Sequence, residues 1–176
     1  LYDGGGTKRR LFTFGLAVSP WQTADYEKYP AIGRFEGEAF DPETWKPRAP
    51  TAAYIEMRAD DAFWAARRVM AFSDDLIRAV VKTGEFSDPA AEKYLGDVLI
   101  QRRDKIGRAY LAKINPVVDP TLDASGVLSF GNAAVQYGVT SAPRGYTAAW
   151  HTFDNATAET RPLGQTTGAQ SPMTAP

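Results

Sequence analysis

The chain has 176 residues, of which 44% are hydrophobic and 23% charged, enough apolar material for one domain with a core and too much for wholesale disorder. A net charge of -1 supplies no long-range field for collecting nucleic acid or an anionic membrane. The absence of cysteine removes disulfides, thiolate nucleophiles and most structural zinc sites, and the single histidine, His151, excludes any metal site built on two histidines.

The chain opens on Leu1-Tyr2-Asp3 and Gly4-Gly5-Gly6, which resembles neither a start-codon product nor a signal peptide with an apolar core, so a processed product or an excised fragment is expected. Gly4 to Lys8 lacks the spacing of a phosphate loop. The apolar run Leu11 to Val18 is far shorter than the roughly 20 residues that span a bilayer. No membrane span is expected, although a membrane-protein partner is compatible with the sequence.

Prolines, which fix φ and remove a backbone donor, divide the chain into extended flanks and a helical middle. Residues 1–58 are an extended N-terminal arm in which Trp21, Tyr26, Tyr29, Phe35, Phe40, Trp45 and Tyr54 recur without helical or strand period. Such an arm packs on its own body or reaches a partner. Large aromatics bury much area at little entropy cost, so Trp21, Tyr29 and Trp45, together with Trp150, are the candidate partner contacts.

Residues 59–115 read as the helical body. Asp60 can cap a helix running to about Phe72, and Ser73-Asp74-Asp75 restarts a second with Leu76, Ile77, Val80 and Val81 on one face, closed by Gly84. Asp88 as N-cap and Pro89 at the first position then open a third helix continuing to about Ile114, a spine about 40 Å long. Arg102 falls inside its apolar stripe and is expected in a structural ion pair with Asp60 or Asp74 at the starts of the neighbouring helices. Gly96 and Gly107 mark places where another element packs closely. The pairs Asp60-Asp61 and Asp74-Asp75 complement helix dipoles, which explains them without catalysis. Arg102-Arg103-Asp104-Lys105 with Arg108 and Lys113 lacks aromatic interleaving and reads as a solvated or ion-paired face.

Residues 116–164 combine a loop, Pro116 to Asp123, with short strands. Gly126 to Phe130 is one strand. From Tyr146 the alternation puts Tyr146, Ala148 and Trp150 on one face and Thr147, Ala149, His151 and Phe153 on the other, and Asp154-Asn155-Ala156 turns the chain back as a hairpin. Residues 165–176 are a low-complexity tail, expected to be flexible. The fold expected is mainly α with a small β part: a long central helix, a helix-kink-helix pair, an extended aromatic-rich N-terminal arm and a C-terminal β-hairpin.

Several segments carry a resemblance: Ile32 to Gly37, Phe40-Asp41-Pro42 with Trp45-Lys46-Pro47, Asp60 to Val69, Phe86 to Glu92, and Arg102 to Arg108. Together, up to about Gly164, the chain resembles the downstream helical section of a family of long uncharacterised bacterial proteins, often with the look of exported proteins, whose upstream region is faintly kinase-like. The cysteine-free composition leaves the compartment open and the resemblance favours a periplasmic or exported setting; it implies no established activity and carries no kinase residue to any position here.

These readings converge on a non-catalytic structural or interaction subunit docking onto a larger protein assembly, with no catalytic, cofactor-binding or metal-binding residues of its own. The alternative is the helical lobe of a kinase-like phosphotransferase whose nucleotide site lies outside this chain. A third, a carrier of small ligands, requires a sizeable apolar cavity between arm and body.

Overall fold

The Asp88-Pro89 signal is local, and the longest helix begins on it: the Asp88 carboxylate accepts from Ala90 N at 2.8 Å. The computed structural model describes residues 11–14, 28–47 and 49–176. Among them the helices are α1 (Ala52–Ile55), α2 (Ala59–Met70), α3 (Asp74–Lys82), α4 (Pro89–Tyr110) and α5 (Ala133–Gln136), and the strands are β1 (Val117–Leu122), β2 (Val127–Asn132), β3 (Tyr146–Phe153), β4 (Thr160–Gly168) and β5 (Met173–Thr174).

The helical body has the expected three elements, with corrected ends. In α2, Arg58 rather than Asp60 stands at the N-cap; Asp61 reaches back to accept from Arg58 N at 3.0 Å, while Asp60 pairs with the Arg58 guanidinium at 2.6 Å. Ser73 caps α3 by accepting from Leu76 N at 3.1 Å. Its apolar face divides: Ile77 and Val81 are buried, whereas Leu76 and Val80 stay exposed. The 22 residues of α4 stop at Tyr110, giving a spine of about 33 Å. Both glycines of α4 meet a neighbour. A Cβ at Gly96 would lie 3.2 Å from Arg78 of α3, and one at Gly107 would lie 2.5 Å from Met70 Sδ of α2.

The mainly-α expectation is overturned. Among the described residues helix accounts for 35% and strand for 20%, with five strands in two antiparallel sheets. One has the order β1-β2-β5 and the other is the β3–β4 ribbon. Pro116 to Asp123, read as a loop, contains β1. Pro120 and Asp119, with Asp119 at φ 52°, make a bulge between Val118 and Thr121, so an irregular strand has the composition of a loop. Residues 165–176, expected to be a flexible tail, hold the end of β4 and all of β5. Met173 pairs with Leu128 and is 4% exposed. Pairing with a distant strand supplies what local composition did not.

One core joins the two halves: Phe63 and Ala66 of α2, Leu111 just after α4, Val118 of β1, and Ala133 and Ala134 of α5. Arg67 reinforces the joint from α2 by reaching Asp119 in the β1 bulge at 2.9 and 3.1 Å. No helix of the described residues is long and apolar enough to cross a membrane.

Candidate functional site

The arm lies against α4 and runs parallel to it. A chain without regular structure must still satisfy its backbone carbonyls. Here α4 supplies side-chain donors in series: Tyr94 Oη to Phe35 O at 3.1 Å, Arg102 Nε to Glu36 O at 2.7 Å, Lys105 Nζ to Phe40 O at 3.0 Å and Tyr110 Oη to Pro42 O at 2.7 Å. Lys113, beyond the helix end, pairs with Glu43. Asp41 then turns the arm, accepting from Glu43 N at 3.0 Å and Thr44 Oγ1 at 2.8 Å. The Thr44 hydroxyl, followed by Glu43 N, holds the Asp41 carboxyl below its ordinary range. This turn sets Trp45 edge-on to Tyr54, with ring centroids 6.0 Å apart.

Arg102 does not form the expected ion pair with Asp60 or Asp74. Its guanidinium sits 4.0 Å from the ring centre of Phe35 and 4.7 Å from that of Phe40, and donates to the Glu36 carbonyl. Burial pulls its pKa down, only partly offset by the Glu36 charge. Asp74 instead meets the next residue, Arg103, at 2.7 Å, and Asp104 meets Arg103 at the same distance. Helical rotation of about 100° per residue separates the two arginines, turning Arg102 toward the arm and Arg103 toward the α3 N-terminus.

Between arm, α2, α3 and α4 lies an apolar groove of about 660 Å³. Phe40, Trp45 and Met57 line it from the segment before α2, Val69, Phe72 and Val80 from α2, α3 and their connection, and Leu99 and Ile106 from α4. Ala62, Ala65 and Ala66 line it along α2; these small side chains leave the space that larger ones would fill. Arg102 and Arg103 are its only charged lining residues.

The β3–β4 ribbon offers a second surface. Its partners inside the chain hold one end: Tyr146 stacks edge-on with Phe130 at 4.9 Å and accepts from Asn132 Nδ2 at 2.9 Å. Far from that joint, Phe153 and Leu163 are 60% and 59% exposed. Among the described residues β3 has β4 on one side and no strand on the other.

The candidate contact residues are therefore dispersed. Tyr29 stacks on Tyr94 at 5.2 Å, and Trp150 donates Nε1 to Thr166 Oγ1 at 3.0 Å across the ribbon. Trp45 stays 50% exposed at the groove, and Trp21 lies outside the described residues. Sequence reading missed Glu36, whose role is a carbonyl, and the donors Tyr94, Lys105 and Tyr110. Their spacing along one face of α4 is the signal that could have found them. Among the described residues no group of three or more His, Cys, Asp or Glu side chains is gathered for a metal ion. No family model, curated protein or solved structure matches the chain.

Proposed function

We propose that the chain is a non-catalytic interaction subunit that joins a larger protein assembly by accepting a partner strand along β3. The observation carrying this reading is the contrast between two sheet edges. β1 is an edge strand blunted by Pro120, a bulge and the charge of Asp119. Those are the devices by which proteins keep foreign strands away. β3 has eight residues, Tyr-Thr-Ala-Ala-Trp-His-Thr-Phe, without proline or a carboxylate, lysine or arginine. The ribbon's own register shift, opposite Trp150 and His151, has its extra residue, Leu163, on β4, so the β3 row of backbone donors and acceptors suits strand addition, with the exposed Phe153 as an apolar anchor at its end.

A photo-crosslinking residue substituted for His151 on β3, or for Thr121 on β1 as control, tests this in the native cell. A discrete protein adduct from position 151 and none from 121 is the expected result. No adduct from position 151, or equal adducts from both, would overturn the reading.

A further inference from the structure

The groove beside the arm has the dimensions of a ligand site. Its volume of about 660 Å³ lies inside the range of roughly 300 to 1,000 Å³ typical of sites for small molecules. Its lining is almost wholly apolar, which favours a hydrocarbon-like body.

The two arginines give the groove a sign. Arg103 is neutralised by Asp74 and Asp104, each at 2.7 Å, and also donates to Phe72 O at 2.7 Å. Arg102 has no ion pair with a carboxylate among the described residues: its Nε and Nη2 both go to the Glu36 carbonyl, and its faces meet Phe35 and Phe40. The Glu36 carboxylate, whose charge acts on Arg102, accepts from Ala39 N at 2.8 Å. The remaining nitrogen, Nη1, has no hydrogen bond to the described residues. A cation at the groove with no carboxylate paired to it among the described residues is complementary to one anion on an apolar body.

We infer that the groove binds an amphiphilic monocarboxylate, its chain lying along Val69, Val80, Leu99 and Ile106 and its carboxylate meeting Arg102. This site is independent of the β3 edge, and each can fail without the other. Charge complementarity selects an amphiphilic acid over a neutral apolar molecule. The carboxylate meets Nη1, while the arm's bonds to Nε and Nη2 remain.

Calorimetric titration of the full chain with dodecanoate and with dodecanol, both below micelle formation, tests the inference. Saturable one-to-one binding of dodecanoate, at least tenfold tighter than dodecanol, is expected. Ala65→Trp, from an exposed position on α2 that lines the groove, should fill the space and weaken dodecanoate at least tenfold. Arg102→Lys should keep the preference for the acid, and Arg102→Gln should level the two probes. Absence of saturable dodecanoate binding, equal affinity for acid and alcohol, or unchanged binding in Ala65→Trp would each overturn the inference. Because Ala65 takes no part in the arm's hydrogen bonds, Ala65→Trp remains decisive even if the Arg102 variants fail to fold.

Discussion

The arm along α4 and the outer edge of β3 meet the same requirement in opposite ways. Both are extended stretches of backbone that cannot satisfy themselves. The arm's carbonyls are taken up by Tyr94, Arg102, Lys105 and Tyr110, so a segment without regular structure is finished by its own chain. β3 has regular structure and one neighbouring strand among the described residues, and none of them pairs with its other side. Regularity is thus a poor guide to which surface is spoken for; the accounting of backbone partners is a better one.

That comparison can be broken at several points. Leu111 is 0% exposed in the core that joins the helical and β halves, so Leu111→Ala should destabilise the whole fold by about 2–5 kcal/mol. Chemical denaturation followed by far-UV and near-UV signals should then show one shifted transition. Two separate transitions would mean that the halves do not share a core.

Tyr110→Phe removes only the bond to Pro42 O and should cost about 1 kcal/mol. Hydrogen exchange should speed up in residues 28–47 and stay unchanged in β3. Acceleration in both regions would erase the distinction between them.

A smaller effect is expected at Asp97, which ties α4 to α3 through Arg78 at 2.8 Å and also accepts from Lys93 at 2.6 Å. The Lys93 hydrogen bond, then that of Arg78, holds its pKa below the ordinary 3.8. A depressed carboxyl contributes stability above the unfolded pKa and loses it as pH falls through the folded one. Asp97→Asn should therefore cost about 0.5 kcal/mol at neutral pH, since the pair is largely solvated, and the difference from the parent should shrink as pH falls below the ordinary 3.8 and through the lower folded pKa. A difference that persists in acid would point to a role other than charge.

The smallest effect on stability belongs to β3. Ala149→Lys should change unfolding free energy by less than about 0.5 kcal/mol, because the residue is exposed. The same substitution should remove the adduct expected from position 151. A large loss of stability would mean that the β3 edge is already covered.

Legibility in the sequence followed the range of the interaction. The Asp88-Pro89 start of α4, the Ser73 cap and the alternation from Tyr146 to Phe153 are written in adjacent residues, and each element begins where those residues place it. β1 was hidden because Pro120 and Asp119 carry a loop's composition into a bulged strand. The strand character of residues 165–168 and 173–174 depends on β3 and β2, which local composition does not reveal. At Arg102 the position within the stripe was visible and the partner was not. A backbone carbonyl leaves no mark in a sequence, whereas Asp60 and Asp74 advertise a charge. The apolar cavity between arm and body was framed only as a requirement of the carrier reading; the aromatic side chains and the alanines of α2 together create it.

The parallel course of arm and α4 also has a mechanical meaning. Contacts arranged in series from Tyr94 to Lys113 load one at a time when tension acts from the side of Tyr29, so the seam opens like a zipper rather than shearing at once. Phe35, Phe40 and Trp45 belong to that seam and also wall the groove. Any molecule held there is therefore a clamp on the arm, and reciprocity requires that tension on the arm weaken its hold on that molecule by the same factor.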